Sequence, residues 1–95
     1  RLLQFDDEFY RALHRCRELG ASELAVNRIV AHVGLARWPD WPIEERGFFR
    51  EALLDLQMAS AEQAAITAFE AGNLLLYCVW THADPLQHSS CRMSR

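Results

Sequence analysis

The sequence predicts an all-α fold, a small helical domain in which two short N-terminal helices precede a long helix or a kinked helix pair. Apolar residues recur at spacings of three and four along most of the 95 residues, which is the period of one helical face. The hydrophobic content of 51% is high for a domain that removes only about 60 to 65% of its unfolded surface from water. We therefore expect a second molecule to cover part of the surface, most simply in a homodimer.

The first helix is predicted from one apolar face that contains Phe5, Phe9, Leu13 and Cys16. Acidic residues lie at its beginning and arginines near its end, an arrangement that the helix dipole favours. Gly20 is expected to end the helix, because glycine readily adopts the left-handed conformation that follows many helices.

The second helix is predicted between Ser22 and Gly34. The hydroxyl of Ser22 can accept a hydrogen bond from a free amide of the first turn, so Ser22 is expected to be the N-cap. Apolar residues between Leu24 and Val33 supply the buried side. Gly34 is expected to end this helix.

The third helical segment is predicted to run from Pro42 to about Ala83, after two Trp-Pro pairs. Pro39 favours an extended conformation at Trp38, Asp40 can cap the helix, and a proline fits the first turn because amides there have no helical partner. No other proline interrupts the segment.

A break or kink in this segment is predicted near residues 58–61. Ser60 and Gln63 have the spacing of a capping box, in which a serine hydroxyl accepts a hydrogen bond from the amide three residues later. Asp84 and Pro85 end the helical pattern, and the remaining residues are mostly polar. We therefore expect one helical domain over residues 1–84 and a flexible polar tail over residues 85–95.

The long segment is predicted to carry two apolar stripes about a third of a turn apart. One stripe consists of Phe49, Ala52, Leu53 and Leu56, and the other of Ile43, Gly47, Leu54 and Met58. One stripe is enough to pack a helix against the core of a monomer. The second stripe therefore indicates an interface with another protein.

The end of the segment has the same excess of apolar surface. Small residues form a stripe at Ala61, Ala65, Ala68 and Gly72, where a second helix could approach closely. Residues 74–80 are apolar without interruption, and a helix that is apolar on all sides must be buried on all sides. A second copy of the chain would cover it most simply, and a compact monomeric four-helix fold is the alternative.

Two sets of contact residues follow from these patterns. Trp38, Trp41, Phe48, Leu54 and Met58 are expected to bind a partner protein. Ala68, Gly72, Leu76, Tyr77 and Trp80 are expected to mediate self-association. Tryptophan is enriched among the interface residues that contribute most of the binding energy. The adjoining prolines restrict the backbone, which reduces the entropy lost on binding. The assignments of the two sets could be exchanged.

The charge and the polar residues argue against other classes of protein. A net charge of −3 and an isoelectric point near 5.7 have the wrong sign for nucleic-acid binding. A helix-turn-helix read from Glu23 to Trp38 would need a second helix near Leu35, with Pro39 inside it. No histidine has a recognisable nucleophile partner, so we expect neither an enzyme nor a cofactor. A small DNA-binding regulator remains the alternative.

The cysteines allow a third hypothesis, a zinc-stabilised helical module. Three cysteines at 16, 78 and 91 form no even set, so we expect no disulfide and a soluble protein of the reducing cytoplasm. Cys78, His82, His88 and Cys91 could instead close a tetrahedral zinc site if the tail folded back. We favour Cys78 as a small core residue and expect no metal.

The stretch "RLLQFDDEFYRALHRCRELGASELAVNRIVAHVGLARWPDWPIEERGFF", in a small, acidic, all-helical chain rich in arginine and alanine, resembles the QslA-type small antiactivators of LuxR-family quorum-sensing regulators such as LasR. The resemblance implies a dimer that binds the ligand-binding domain of a LuxR-type transcription factor. Such binding would block dimerisation of the factor and hence its attachment to DNA. The mechanism expected is competitive occlusion, in which an apolar helix face covers the surface that the target uses for self-association.

Overall fold

The computed structural model describes residues 7–20 and 23–93, and all regular secondary structure in these ranges is helical. The α-helices are α1 (Asp7–Leu19), α2 (Leu24–Ala36), α3 (Ile43–Ala59), α4 (Ala61–Glu70), α5 (Leu74–Trp80) and α6 (Ser90–Met93). A short 3-10 turn, Trp38–Asp40, connects α2 to α3. The predicted all-α class is confirmed. The expectations for Phe5 and Ser22 lie outside the described residues.

The centre of the fold is the crossing of α2 and α3, where Gly34 lies against Phe49. A Cβ atom at Gly34 would come within 2.3 Å of the Cγ atom of Phe49, a distance that atoms cannot adopt. Glycine is therefore needed here because the two helices approach closely. The prediction that Gly34 ends α2 is wrong, since the helix continues to Ala36.

One apolar stripe of α3 forms the middle of the core. Its members Phe49, Ala52, Leu53 and Leu56 are all buried. Around them pack Leu13 of α1, Val30, Ala31 and Leu35 of α2, Ala64, Ala65 and Ala68 of α4, and Tyr77 of α5. We call Phe49, Ala52, Leu53 and Leu56 the inner stripe. Its role in the core agrees with the period of the sequence.

The predicted break near residues 58–61 is confirmed at Ser60. α3 ends at Ala59, and Ser60 has an extended backbone with φ −163° and ψ 105°. Its hydroxyl oxygen accepts a hydrogen bond from the backbone N–H of Gln63 at 3.2 Å. This cap starts α4 in a new direction and brings its alanines over α2 and α3.

A second break, which the sequence analysis did not predict, separates α4 from α5 at Gly72. Gly72 has φ +78°, a left-handed conformation that residues with a Cβ rarely adopt. The N–H of Asn73 donates to the carbonyl of Ala68 at 2.9 Å, and that of Gly72 donates to the carbonyl of Phe69 at 3.0 Å. These two bonds satisfy two carbonyls of the last turn of α4 and form a Schellman motif.

The start of α3 also differs from the prediction. Pro42 precedes the first helical residue, Ile43, and is its N-cap. Asp40, expected to cap the helix, instead accepts a hydrogen bond from the Nε of Arg37 at 2.9 Å. The 3-10 turn brings the Asp40 carboxylate back to the residue that follows α2, so it pairs with the guanidinium of Arg37.

Arg17 holds α1 on the body of the protein. Its Nε donates to the side-chain oxygen of Asn27 on α2 at 3.1 Å. Its terminal nitrogens form ion pairs with Asp55 and, at 3.6 Å, with Glu51, both on α3. The arginine side chain is only 12% exposed, so these contacts connect three helices through one partly buried cation.

The cysteine prediction is wrong, because Cys78 of α5 and Cys91 of α6 form a disulfide. The free cysteine of the described residues is Cys16, which is exposed on α1. The pair is not a local motif, since the two residues are 13 positions apart. They meet because the chain turns after α5 and returns along it.

Candidate protein-binding surface

The second apolar stripe of α3 lies on the side of the helix opposite the core. We call its members Ile43, Gly47, Leu54 and Met58 the outer stripe. Ile43 is 79% exposed, Met58 is 81% exposed and Leu54 is half-buried. At 1.5 Å per residue the stripe extends about 22 Å along the helix, which is enough for several turns of a second helix. Among the described residues, a Cβ at Gly47 would meet no atom within 4 Å apart from the backbone of its own helix and its chain neighbours, so this position is open to close approach.

A cluster of tryptophans and arginines lies along one side of the outer stripe. The rings of Trp38 and Trp80 meet edge to face with centroids 5.0 Å apart. The guanidinium of Arg46 lies 5.5 Å from the ring centre of Trp38, and that of Arg50 lies 5.8 Å from that of Trp80. We call these four residues the tryptophan cluster. Their cation–π contacts hold both indoles at the surface, half-buried.

Charges of both signs surround this apolar surface. Arg46 and Arg50 lie on the side of the tryptophans, and Glu51 and Asp55 lie on the other side of α3, where Arg17 pairs with them. A protein interface typically has an apolar centre and a polar rim. A phosphate backbone would require mainly basic residues, which this surface lacks.

The residues predicted to bind a partner do not all lie on this surface. Trp38, Leu54 and Met58 do, but Trp41 is a core residue, 4% exposed, with its ring centre 4.5 Å from that of Phe49. We therefore remove Trp41 from the partner surface. The 3-10 turn directs Trp38 and Trp41 to different sides of the chain.

Phe48 also contacts its own chain. Its ring stacks on His14 of α1 at 3.8 Å between centroids, and it meets Phe49 edge to face at 5.1 Å. Phe48 is partly buried against the core and against α1, rather than exposed to a partner. Phe48 is therefore also removed from the partner surface.

The residues predicted to mediate self-association are likewise divided. Ala68 and Tyr77 are fully buried in the core, so they are corrected to core residues. Gly72 is exposed in its turn, while Leu76 and Trp80 are half-buried. The stripe of small residues on α4 does admit a close neighbour, but that neighbour is within the same chain.

The exposed side of α5 is formed by two residues that the sequence analysis did not select. Leu75 is 75% exposed and Val79 is 59% exposed, and their spacing of four places them on the same face. The expectation that α5 is enclosed on all sides is therefore not met within the single chain. Once Tyr77 is known to be buried, the helical period places Leu75 and Val79 on another side of α5. The sequence alone does not show which residue of α5 is buried.

A groove between α2 and α4 was also missed. It has a volume of about 390 Å³ and is lined by Ala25, Arg28, Ile29, His32, Val33, Thr67 and Glu70. Arg28 and Glu70 face each other across it, with a nitrogen–oxygen distance of 3.9 Å. Only the relative placement of the two helices creates this groove, so no local pattern could predict it.

The structure bears on the two alternative classes. The sulfurs of Cys78 and Cys91 are bonded to each other and cannot act as zinc-binding thiolates in this form. Over residues 7–20 and 23–93, no three side chains of the metal-binding types are grouped where they could hold an ion. Leu35 lies inside α2 and Pro39 in the 3-10 turn, so no recognition helix begins where the helix-turn-helix would require it.

Comparison of the chain with known protein families, with curated proteins and with solved structures gives no match in any of the three. Within the part of the chain that the structure describes, no helix combines the length and the apolar character needed to cross a membrane.

Proposed function

We propose that this chain is a protein-binding module and that its outer stripe on α3 is the contact surface. The observation that carries the proposal is the exposure of Ile43 and Met58, at 79% and 81%, on a helix whose other side is fully packed. Large exposed apolar side chains in one row are unfavourable for a protein that remains alone in water. A partner that covers the row removes this cost.

The surface has the components of a helix-binding interface. Met58 is flexible and adapts to the shape of its neighbour, Gly47 permits close approach of a second backbone, and the half-buried Trp38 supplies a rigid aromatic edge. A standard interface buries about 800 Å² on each partner, which requires more than the stripe alone. The adjoining tryptophan cluster supplies additional area.

The partner we propose is the ligand-binding domain of a LuxR-type transcription factor, which the chain inhibits as an antiactivator. The support for this partner is the resemblance of residues 1–49 to QslA-type antiactivators. The physical mechanism is competitive occlusion: the outer stripe covers the apolar surface through which the factor dimerises, so the factor cannot bind DNA as a dimer. The chain itself needs no catalytic group for this action.

Binding of a LuxR-type ligand-binding domain to the purified chain tests both parts of the proposal. We expect Met58→Glu to weaken binding by roughly tenfold or more, because a carboxylate would be desolvated without a partner. Ile29→Glu is the matched control, since Ile29 is 61% exposed on α2, away from the outer stripe. Isothermal titration calorimetry measures all three affinities.

The outcomes separate the surface from the partner. If the unaltered chain does not bind the domain, the LuxR-type partner is wrong. If the domain binds the Met58→Glu variant as tightly as the unaltered chain, the outer stripe is wrong. If Ile29→Glu weakens binding as much as Met58→Glu does, the contact surface lies on another face.

We also propose that the chain forms a homodimer through the exposed face of α5. Leu75 and Val79 replace the buried Ala68 and Tyr77 as contact residues, and Leu76 and Trp80 lie at the edge of this face. Sedimentation equilibrium should show a dimer at micromolar concentration, and Val79→Glu should shift it to a monomer. A monomeric unaltered chain would contradict the proposal, and so would a Val79→Glu variant that remains dimeric.

A further inference from the structure

The last part of the chain, residues 82–93, returns along α5 and is held there by the disulfide between Cys78 and Cys91. We call residues 82–93 the C-terminal segment. It contains one short helix, α6, which is a single turn of four residues. A helix of that length is not stable by itself in water, so its position depends on contacts with α5.

The segment is also held by hydrogen bonds to α5 and the residue after it. The side-chain nitrogen of Gln87 donates to the carbonyl of Cys78 and to the hydroxyl of Thr81, both at 2.9 Å. The backbone N–H of His88 donates to the hydroxyl oxygen of Tyr77 at 3.1 Å. These bonds attach the segment to polar atoms rather than to the apolar core.

The Tyr77 hydroxyl connects the segment to α3. It donates to the side-chain oxygen of Gln57 at 2.7 Å, and Tyr77 and Gln57 are 0% and 2% exposed. The side-chain nitrogen of Gln57 donates in turn to Asp84 at 3.3 Å. The segment therefore supplies hydrogen-bond partners to a buried polar network. Without the segment, water would have to supply them.

The C-terminal segment contributes little to the apolar core. All buried hydrophobic residues of the described chain lie between Leu13 and Tyr77. Within the segment, Cys91 is only partly buried against the core and Leu86 is 67% exposed. Loss of the segment from its position would leave the packing of α1 to α4 in place.

We propose that the Cys78–Cys91 disulfide is a reversible modification site, a redox latch that a dithiol reductant opens to release the C-terminal segment. Both cysteine residues are partly exposed rather than buried, and attack by a reductant requires such access to the bond. The proposal does not depend on the proposed function. It explains why a disulfide holds a segment that adds little to the core.

The chemistry of opening is thiol–disulfide exchange. A thiolate of the reductant attacks one cysteine sulfur, the bond between Cys78 and Cys91 breaks, and the other cysteine leaves as a thiolate and takes up a proton. The second thiol of the reductant then attacks the mixed disulfide and releases the first cysteine. Two electrons and two protons pass to the protein, and the reductant becomes a disulfide.

Release changes what α5 presents to the solvent. The Tyr77 hydroxyl loses the His88 amide and is hydrated instead, while it keeps Gln57. Cys78 becomes uncovered next to the exposed Leu75 and Val79, which enlarges the apolar face of α5. The reduced chain therefore exposes a larger apolar surface on α5 than the oxidised chain does.

Hydrogen exchange measured by mass spectrometry on the full chain tests the latch, with dithiothreitol as the reductant. We expect reduction to accelerate amide exchange in residues 84–91 by roughly tenfold or more, because a segment that opens locally exchanges without global unfolding. Exchange within residues 49–56 of α3 should stay unchanged. Reoxidation should restore the slow exchange of residues 84–91.

Two variants complete the experiment. Cys16→Ser should behave as the unaltered chain, because Cys16 is outside the pair. Cys91→Ser should exchange rapidly over residues 84–91 with or without reductant.

Unchanged exchange of this segment on reduction would overturn the proposal, because hydrogen bonds alone would then hold it. Loss of protection in α3 would also overturn it, since the disulfide would then support the whole fold. Three titratable thiols in the oxidised chain would show that the pair does not form.

Discussion

The two sides of α3 have similar residue types but different surroundings. Leu53 on the inner stripe is fully buried, whereas the next residue, Leu54, belongs to the outer stripe and is half-buried. Met58 on the outer stripe is 81% exposed, although its hydrophobic character is close to that of the buried Leu56. A turn of about 100° per residue is enough to place adjacent apolar side chains in opposite environments.

The inner stripe contributes to the stability of the fold, whereas the outer stripe is available for interaction with a partner. Apolar area on the inner stripe contributes about 25 cal/mol per Å² to folding, because α2, α4 and α5 remove it from water. The exposed apolar area of the outer stripe, mainly that of Ile43 and Met58, contributes nothing to the stability of the folded monomer, since water still contacts it. Changes on the inner side should therefore alter the free energy of unfolding, and changes on the outer side should alter binding.

The largest effect is expected from Leu53→Ala. Truncation of this fully buried side chain leaves a cavity and should lower the free energy of unfolding by about 2 to 5 kcal/mol. Met58→Ala, the matched change on the outer stripe, should lower it by less than about 0.5 kcal/mol. Urea unfolding followed by circular dichroism measures both values. Equal losses for the two variants would contradict the division of α3 into two faces.

A smaller effect is expected from Gly34→Ala, which adds a methyl group where α2 meets the inner stripe. The new Cβ would lie 2.3 to 2.5 Å from three atoms of Phe49, including its own Cβ, so the helices must move apart. Overpacking of this kind should lower the free energy of unfolding by about 1 to 3 kcal/mol. Thermal unfolding at a fixed heating rate measures the loss.

Gly47→Ala is the control for Gly34→Ala on the opposite side of the same crossing. Gly47 lies within α3, and no described residue outside its own helix lies within 4 Å of its missing Cβ, so alanine should stabilise the monomer by about 0.5 to 1 kcal/mol. The same substitution should weaken partner binding if a second backbone approaches there. A destabilised Gly47→Ala monomer would contradict the structure, because it would show that other residues pack against this face.

The sequence predicted those features that depend on neighbouring residues. The break at Ser60 was found because the serine and the amide that it caps are three residues apart. The inner and outer stripes were found because both belong to one helix with a known period. The resemblance and the apolar excess suggested a protein partner, and the described surface retains Trp38, Leu54 and Met58 as candidates for it.

Other features were missed for a common physical reason. Gly34 was predicted as a helix end, because nothing local shows that Phe49 occupies the space of its side chain. Trp41 and Tyr77 were assigned to interfaces, because their burial depends on helices distant in sequence. Cys78 and Cys91 were not paired, because only the return of the chain after α5 brings them together.

The amino-acid sequence by itself determined that the chain is helical, where α3 ends, and that α3 has two apolar sides, because helix period and capping act over three or four residues. The tertiary structure decided which of these sides is buried, which glycine lets two helices approach closely and which cysteines meet. These outcomes depend on distances between residues far apart in the chain. Such distances exist only after the helices have packed, so no local pattern records them.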